Sequence, residues 1–556
     1  MLAFRKRLRE VSGEKAGRRT RRWVYVPYDQ LTDSTGPLAK TPPSELGIVL
    51  IESKEKAARR PYHKQKLAWI LASQRHFAIE QAARGVQVRY EVGSYAEVLS
   101  RVATVVGRLD VMRPAERELR IELEPLVRSE ILAFQPHEGF LSTRDDFRSA
   151  VGTTPPWRMD AFYKYMRRRT GILMEGDEPE GGRYSFDTEN RKRWKGAPPA
   201  PELPTFAVDD ITTEVGALIE RAFVRHPGEL RLDRIPARLE DVERHWAWAL
   251  EHCLPAFGPY EDAMSMESAT LFHSCVSPLL NLHRLLPARV VRDVAQNESL
   301  PLASREGFVR QVLGWREFVR HVHEETDGFR RSNHGGFAER QVGDGGYGTW
   351  KGEPWQEESS QVSPFAGADP SELKARLPIF PAFWGKQSGL QCLDHVVGTV
   401  WRDGFSHHIT RLMVLSNIAT LLAIRPRDLA DWFWVAYIDA FDWVVEPNVL
   451  AMGTFGVGEM MTTKPYVSGA AYLHKMSDYC ETCAFDPKGN CPLTRLYWAF
   501  LGRHAERFAR NPRTSGPVAS WRKRSPEERA VDVAVFERVA QLLSRGEVVR
   551  PDNSSR

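Results

Sequence analysis

Four of the six cysteines in this 556-residue chain are spaced so that they tie distant segments together. Cys480, Cys483 and Cys491 fall in one short run, and Cys392 lies far upstream. A Cys-x2-Cys pair can bite one metal atom, and Cys491 with Cys392 completes a set of four thiolates. Zinc and a [4Fe–4S] cluster both accept such a set. A chelate of this shape clips an upstream segment to a downstream one, so the fold must bring residue 392 to residues 480–491. The other reading is unligated core cysteine, since free Cys packs as a small hydrophobe.

The N-terminal part reads as alternating strands and helices. The stretches Trp23–Val26, Ile48–Ile51, Val86–Tyr90, Leu109–Met112 and Ile131–Phe134 read as short strands, Ile48–Ile51 as a continuous apolar run. Helical patterns fill the intervals, at about Lys64–Arg84, Tyr95–Val105 and Ala115–Arg128. This alternation predicts a doubly wound parallel sheet over residues 22–140, with ligands outside the carboxyl ends of its strands. Asp29, Gln30 and Glu52 fall near such ends. No Gly-x-Gly-x-x-Gly follows the first strand, which argues against a dinucleotide site there. Residues 1–21 are basic without an apolar core, so they read as a disordered arm and not as a secretory signal. Net charge is only +5, so binding to nucleic acid needs a local basic face. No run of about 18 apolar residues marks a membrane span. Six cysteines in a chain of this length fit a reducing cytoplasm.

Residues 141–210 read as a connector. It carries a short helix at Met159–Arg169 and a segment from Arg183 to Lys195 in which basic and aromatic residues interleave, as a nucleic-acid contact would require. Residues 211–545 are mostly helical in pattern, and the 16 tryptophans concentrate in the C-terminal half. Residues 334–370, rich in Gly, Ser and Glu, read as a mobile surface loop, and 546–556 as a tail. Ser274 and Ser277 have the hydroxyls and the helix-start context that suit a pyrophosphate. His408 and Arg411, at i and i+3 on one helical face, suit general acid chemistry. Cys253 and Cys275 read as packing residues.

Long matches carry a family resemblance. They are Ser406–Met413, Asp431–Trp432, Lys464–Ser468, Lys475–Cys480, Cys491–Trp498 and Glu306–Phe318. With these the chain resembles the iron–sulfur bacterial cryptochromes and photolyases, the prokaryotic (6-4) photolyase group, from about residue 22 to about residue 510. The resemblance implies an α/β antenna domain followed by a helical FAD-binding domain with a [4Fe–4S] cluster on Cys392, Cys480, Cys483 and Cys491. It implies light-driven repair of pyrimidine–pyrimidone (6-4) photoproducts in UV-damaged DNA by a cytoplasmic monomer. His408 would donate the proton, with His407 and Arg411 in support.

Residues implied around the flavin are Ser274, Ser277, Arg310, Trp315, Asp439, Asp442, Glu446 and Asn448. Asp439 and Asp442, at i and i+3, would hydrogen-bond its ring nitrogens, and Glu446 or Asn448 would face its N5. Trp384 and Trp432 would belong to an aromatic electron relay. Arg183 would meet the DNA, and Glu317 would accept a hydrogen bond from the damaged base. Asp29, Gln30, Glu52 and Lys64 would hold an antenna, 6,7-dimethyl-8-ribityllumazine. The chain departs from the family pattern at Tyr28, where a glycine is usual. The rival readings are a cryptochrome-like blue-light sensor without repair activity and a zinc-stapled nucleic-acid-binding protein without flavin.

Overall fold

The computed structural model describes residues 2–12, 21–331, 339–340 and 365–551. Most of the predicted loop 334–370 lies outside the described residues. Five short strands form one parallel sheet: β1 Arg22–Tyr25, β2 Leu46–Glu52, β3 Gln87–Val92, β4 Leu109–Met112 and β5 Leu132–Gln135. Their order is β3-β2-β1-β4-β5, the doubly wound arrangement that the strand–helix alternation predicts. Alternate residues of β1 and β2 feed two cores. Val24, Ile48 and Leu50 face one side, and Tyr25, Val49 and Ile51 face the other. This is why both strands read as continuous apolar runs. Gly47 pairs with Trp23, and a Cβ at residue 47 would lie 2.6 Å from the indole ring, so only glycine fits beneath it.

The N-terminal arm differs from expectation. Leu2–Ser12 is a helix, α1, and its Phe4 is fully buried. Phe4 meets Tyr90 edge-on at 4.5 Å, and its backbone N–H donates to Glu214 at 3.1 Å. One aromatic side chain therefore anchors a helix that is otherwise basic and exposed, and the charge-dominated composition hid it. Phe4→Ala should cost about 3 kcal/mol or more, as for other buried Phe truncations. Urea unfolding followed by circular dichroism measures the loss.

Helix α2, Lys64–Ala83, joins the sheet to the helical half. Lys66 donates to the carbonyls of Trp434 and Ala440 at 2.9 and 2.5 Å, and the His63 N–H donates to Val435 O at 2.8 Å. The sheet's other helices are α3, Tyr95–Val106, and α4, Arg117–Arg128. Three long helices then frame the C-terminal half: α5 Gln391–Asp403, α6 Pro426–Ala436 and α7 Pro492–Arg503. Every residue of α6 is buried, so it is the central rod of this layer. The start of the predicted tail is fixed: Val549 is buried and its N–H donates to Ser388 O at 2.9 Å. Among the described residues no helix is long and apolar enough to cross a membrane.

Candidate functional site

Three helical segments of the C-terminal half each contain a wide turn with i→i+5 hydrogen bonding: Arg310–Arg316, Arg411–Ser416 and Pro447–Gly453. Such turns rotate the helix locally and often mark functional positions. At the second, Arg411 grips Asp439 with both guanidinium nitrogens, at 3.1 and 3.0 Å. Ser277 Oγ donates to the same carboxylate at 2.6 Å, Asn281 holds the Asp439 carbonyl at 2.8 Å, and the Arg411 guanidinium lies 4.1 Å from the Tyr437 ring centre. Chain segments 130 or more residues apart thus meet at one buried charge pair. Ser274 is half-buried, and its carbonyl accepts from His245 Nε2 at 3.0 Å. The helix that starts at Ser277 is only five residues long, shorter than the pyrophosphate reading anticipates.

His407 and His408 stand beside this pair. His407 is buried, and neither ring nitrogen has a hydrogen-bond partner. Its ring stacks on His273 at 4.4 Å, and His273 meets His408 edge-on at 5.2 Å. The three side chains bring one nitrogen each within 4.8 Å of one another. His408 is the open member, 39% exposed, with Nε2 3.9 Å from Asp262. Sequence reasoning expects His408 to titrate near neutrality. Instead it is pushed down to about 4, by burial in the cleft and then by the Arg310 and Arg411 charges. Asp262 is pushed up to about 7 by burial and by neighbouring Glu261. Arg310 is held by Asp187 at 3.0 Å and by Glu261 and Glu306 at 3.4 Å each. Trp315 is half-buried and meets Phe318 edge-on. Arg183 is exposed, paired with Glu189 and stacked over Phe186. His273 was missed as a site residue because a lone histidine in an apolar segment carries no signal of what lies across from it.

Several expected residues point elsewhere. Glu317 is fully buried, and its carboxylate accepts from the N–H groups of Leu141 and Ser142 and from the Ser142 hydroxyl. It pins the connector and is not open to a base. Glu446 is saturated by Arg427 at 2.7 Å and His323 at 2.9 Å, with Arg330 at 3.8 Å. Asn448 donates to Val444 O at 2.8 Å. Asp439 and Asp442 share no helical face, because the helix begins at Asp442. Asp442 accepts from the N–H of Glu118 at 3.0 Å and ties the helical half to α4.

A line of aromatics leads outward from the charge pair. Tyr437 is 6.0 Å from Trp432, Trp432 is 5.9 Å from Trp401, and Trp401 stacks on Trp384 at 5.3 Å. Trp432 and Trp401 both donate their indole N–H to Phe383 O, at 2.8 and 2.9 Å. Trp401 links the two tryptophans named from the sequence. It sits on α5, and only the packing of α5 against α6 shows the link.

The cysteines converge as the chelate pattern requires. Cys392 is the second residue of α5 and Cys491 caps the start of α7. Burial, and then the proximity of Cys491, Cys483 and Cys480, pushes the Cys392 thiol up.

A cleft of about 570 Å³ opens between the sheet's carboxyl edge and the helical half. Glu52 lines it, with Tyr28, Lys56, Tyr62, Lys66, Glu116, Trp434 and Phe441. Asp29, Gln30 and Lys64 are not among its lining residues. Asp29 is buried, Gln30 donates to Met112 O at 2.9 Å, and Lys64 pairs with Glu220 at 2.9 Å. Glu52 is clamped by Arg75 and Tyr90, each at 2.6 Å. Tyr28 lines the cleft and donates its hydroxyl to Glu116, so the side chain that replaces the usual glycine is part of the wall.

A family model described as deoxyribodipyrimidine photo-lyase-related protein matches residues 24–234. The (6-4) photolyase of Agrobacterium fabrum (strain C58 / ATCC 33970) is 32% identical over 525 residues, covering 91% of this chain and 96% of that protein. Among solved structures, a Synechocystis sp. PCC6803 cryptochrome aligns with a TM-score of 0.52 at 16% identity, over 96% of this chain and 100% of its own. A bacterial class III photolyase from Agrobacterium tumefaciens aligns with a TM-score of 0.50 at 13% identity, over 95% of this chain and 100% of its own. At these identities the two structures speak for the fold alone.

Proposed function

This chain belongs to the deoxyribodipyrimidine photo-lyase-related protein family, and from that premise we propose that it repairs pyrimidine–pyrimidone (6-4) photoproducts in DNA with light. The observation that carries the reading is the half-exposed His408 imidazole beside the part-buried Arg411–Asp439 pair. A lesion can reach that imidazole only when flipped out of the duplex, and damage lowers the cost of unstacking it.

FAD fits by the character of the groups gathered here: the segment that carries the Ser274 and Ser277 hydroxyls meets the Arg411–Asp439 pair, a polar, charged setting suited to a pyrophosphate. When bound, the flavin would supply an electron on excitation. The protein's part is to hold Arg411 and Asp439 in fixed register and to present an imidazole N–H to the lesion. Neutral in the free chain, His408 gains proton affinity as negative charge accumulates beside it, first from DNA phosphates and then from the reduced lesion. His407, stacked on His273, limits how the His408 ring can turn. Trp384, Trp401 and Trp432 form a string along which an electron can travel toward the Arg411–Asp439 pair. Trp401→Phe should lose most of the light-driven bleaching of the flavin bands, while flavin content stays unchanged. Absorption spectra before and after blue light measure this.

The four neighbouring thiols, from the start of α5, the 480–491 segment and the cap of α7, are the donor set that a [4Fe–4S] cluster takes. The cleft lined by Glu52, Tyr28 and Lys66 fits a flat heteroaromatic antenna such as 6,7-dimethyl-8-ribityllumazine. The reading places the protein in the cytoplasm as a monomer acting on UV-damaged DNA. The deciding experiment is repair of an oligonucleotide bearing a (6-4) photoproduct under blue light. Restoration of the intact pyrimidines in light alone supports the proposal. A flavin-loaded protein that binds the oligonucleotide and restores nothing would instead be a photoreceptor.

A further inference from the structure

We infer that His273, His407 and His408 form a binding site for a divalent transition-metal ion of the zinc type, and that an ion held there blocks repair. The inhibitory half rests on the function proposed above, whereas the site itself stands on geometry. One nitrogen from each imidazole already lies within 4.8 Å of the other two. Zinc–nitrogen bonds of about 2.0–2.1 Å place tetrahedral ligand nitrogens about 3.4 Å apart. Closing onto an ion therefore takes shifts of about an ångström, within the reach of small ring rotations.

The tautomer of His273 is fixed by its neighbour. Nδ1 lies 2.9 Å from the Thr270 carbonyl oxygen, which can only accept, so Nδ1 carries the hydrogen. Nε2 then bears a lone pair, and it is buried without a partner. A ring that donates one N–H to a backbone carbonyl and offers the other nitrogen is the usual form of a metal-bound histidine. Both nitrogens of His407 are likewise buried and unpartnered. His408 has the Asp262 carboxylate 3.9 Å from Nε2, a negative charge that favours a cation bound to the ring. Three imidazoles with no thiolate favour zinc, cobalt, nickel or copper over magnesium or calcium. His408 is exposed enough to leave a fourth position open to water. Because His408 is the proposed proton donor, an ion on its ring competes with the proton.

The test is zinc uptake by purified, flavin-loaded protein, measured by equilibrium dialysis and metal analysis, beside single-turnover repair at each zinc concentration. His273→Asn keeps an amide donor for Thr270 O and removes the metal-binding nitrogen. His407→Phe keeps the ring stack and removes both nitrogens, so it serves if the first variant misfolds. Any zinc taken by the cysteines survives in both variants. The expected result is one equivalent more in the wild type than in either variant, with at least tenfold weaker binding at the histidines once one ligand is lost. Zinc should halve wild-type repair over the range in which that equivalent binds. For each variant, measured against its own zinc-free rate, the inhibition should shift by the same tenfold or more. Equal uptake by wild type and both variants would overturn the site. Uptake that depends on the histidines, in a protein that repairs nothing with or without zinc, would uphold the site and reject the repair function. Repair indifferent to a histidine-dependent equivalent would overturn the inhibitory role.

Discussion

His408→Asn should slow single-turnover (6-4) repair by about 10²–10⁴-fold, the usual loss when a positioned acid is removed. The reason is placement. Of the three clustered histidines, His407 and His273 are buried, and only His408 is substantially exposed. Asparagine keeps a polar group of similar reach there but cannot carry a proton. Flavin content and lesion binding should change little, because His408 does not belong to the Arg411–Asp439–Ser277 network that holds the cavity together. A pH profile adds a second readout. The protonated fraction of an imidazole falls as pH rises, so wild-type repair should decline toward high pH, with a midpoint above the free-chain value of about 4 once DNA is bound. That descending limb should vanish in the variant. Repair within threefold of wild type, with the same pH profile, would remove His408 from the donor role.

The second large effect concerns the clip. Cys392→Ala should abolish the soluble fold or lower its melting temperature steeply. The thiol sits at the start of α5, while its proposed co-ligands lie in the 480–491 loop and at the cap of α7. Those segments also carry the aromatic string, since Trp401 lies on α5. Structural metal binding contributes on the order of 10 kcal/mol to small metal-clipped folds, against a whole-domain stability of about 5–15 kcal/mol. Losing one of four ligands should therefore exceed the loss from any single core residue. Cys253→Ala is the control: a buried cysteine outside the set, whose loss should cost only about 1 kcal/mol of packing. Soluble, cofactor-loaded Cys392→Ala protein with unchanged melting would show that the cluster does not hold the fold.

Much of the architecture could be read directly from residue order. Each of the five strands was read within a residue or two of its place, most clearly β2, because a strand covered on both faces must be apolar throughout. The convergence of Cys392 on the downstream cysteines was implied by the chelate spacing. Local rules failed where the outcome hung on one side chain or on a neighbour distant in sequence. Helix α1 was hidden because a single buried Phe4 anchors an otherwise basic segment.

At the site, the family resemblance picked out His407, His408 and Arg411, and the i, i+3 spacing of His408 and Arg411 placed them on one helical face. The same reasoning misplaced Glu317, Glu446 and Asp442. A carboxylate in a motif reads alike whether it faces a ligand or is already spent on Ser142, on Arg427 or on the Glu118 N–H. Only tertiary packing distinguishes a saturated acid from an available one, because the partners come from segments up to 324 residues away. His273 and Trp401 became visible for the same reason, one as a ring under His407 and the other as the middle of a tryptophan string. The sequence by itself determined the alternating strands and the helical half, since periodicity is a property of chain order. Which buried polar groups remain unpartnered, and so available for chemistry, was decided by the tertiary structure alone, because hydrogen-bond satisfaction depends on every neighbour at once.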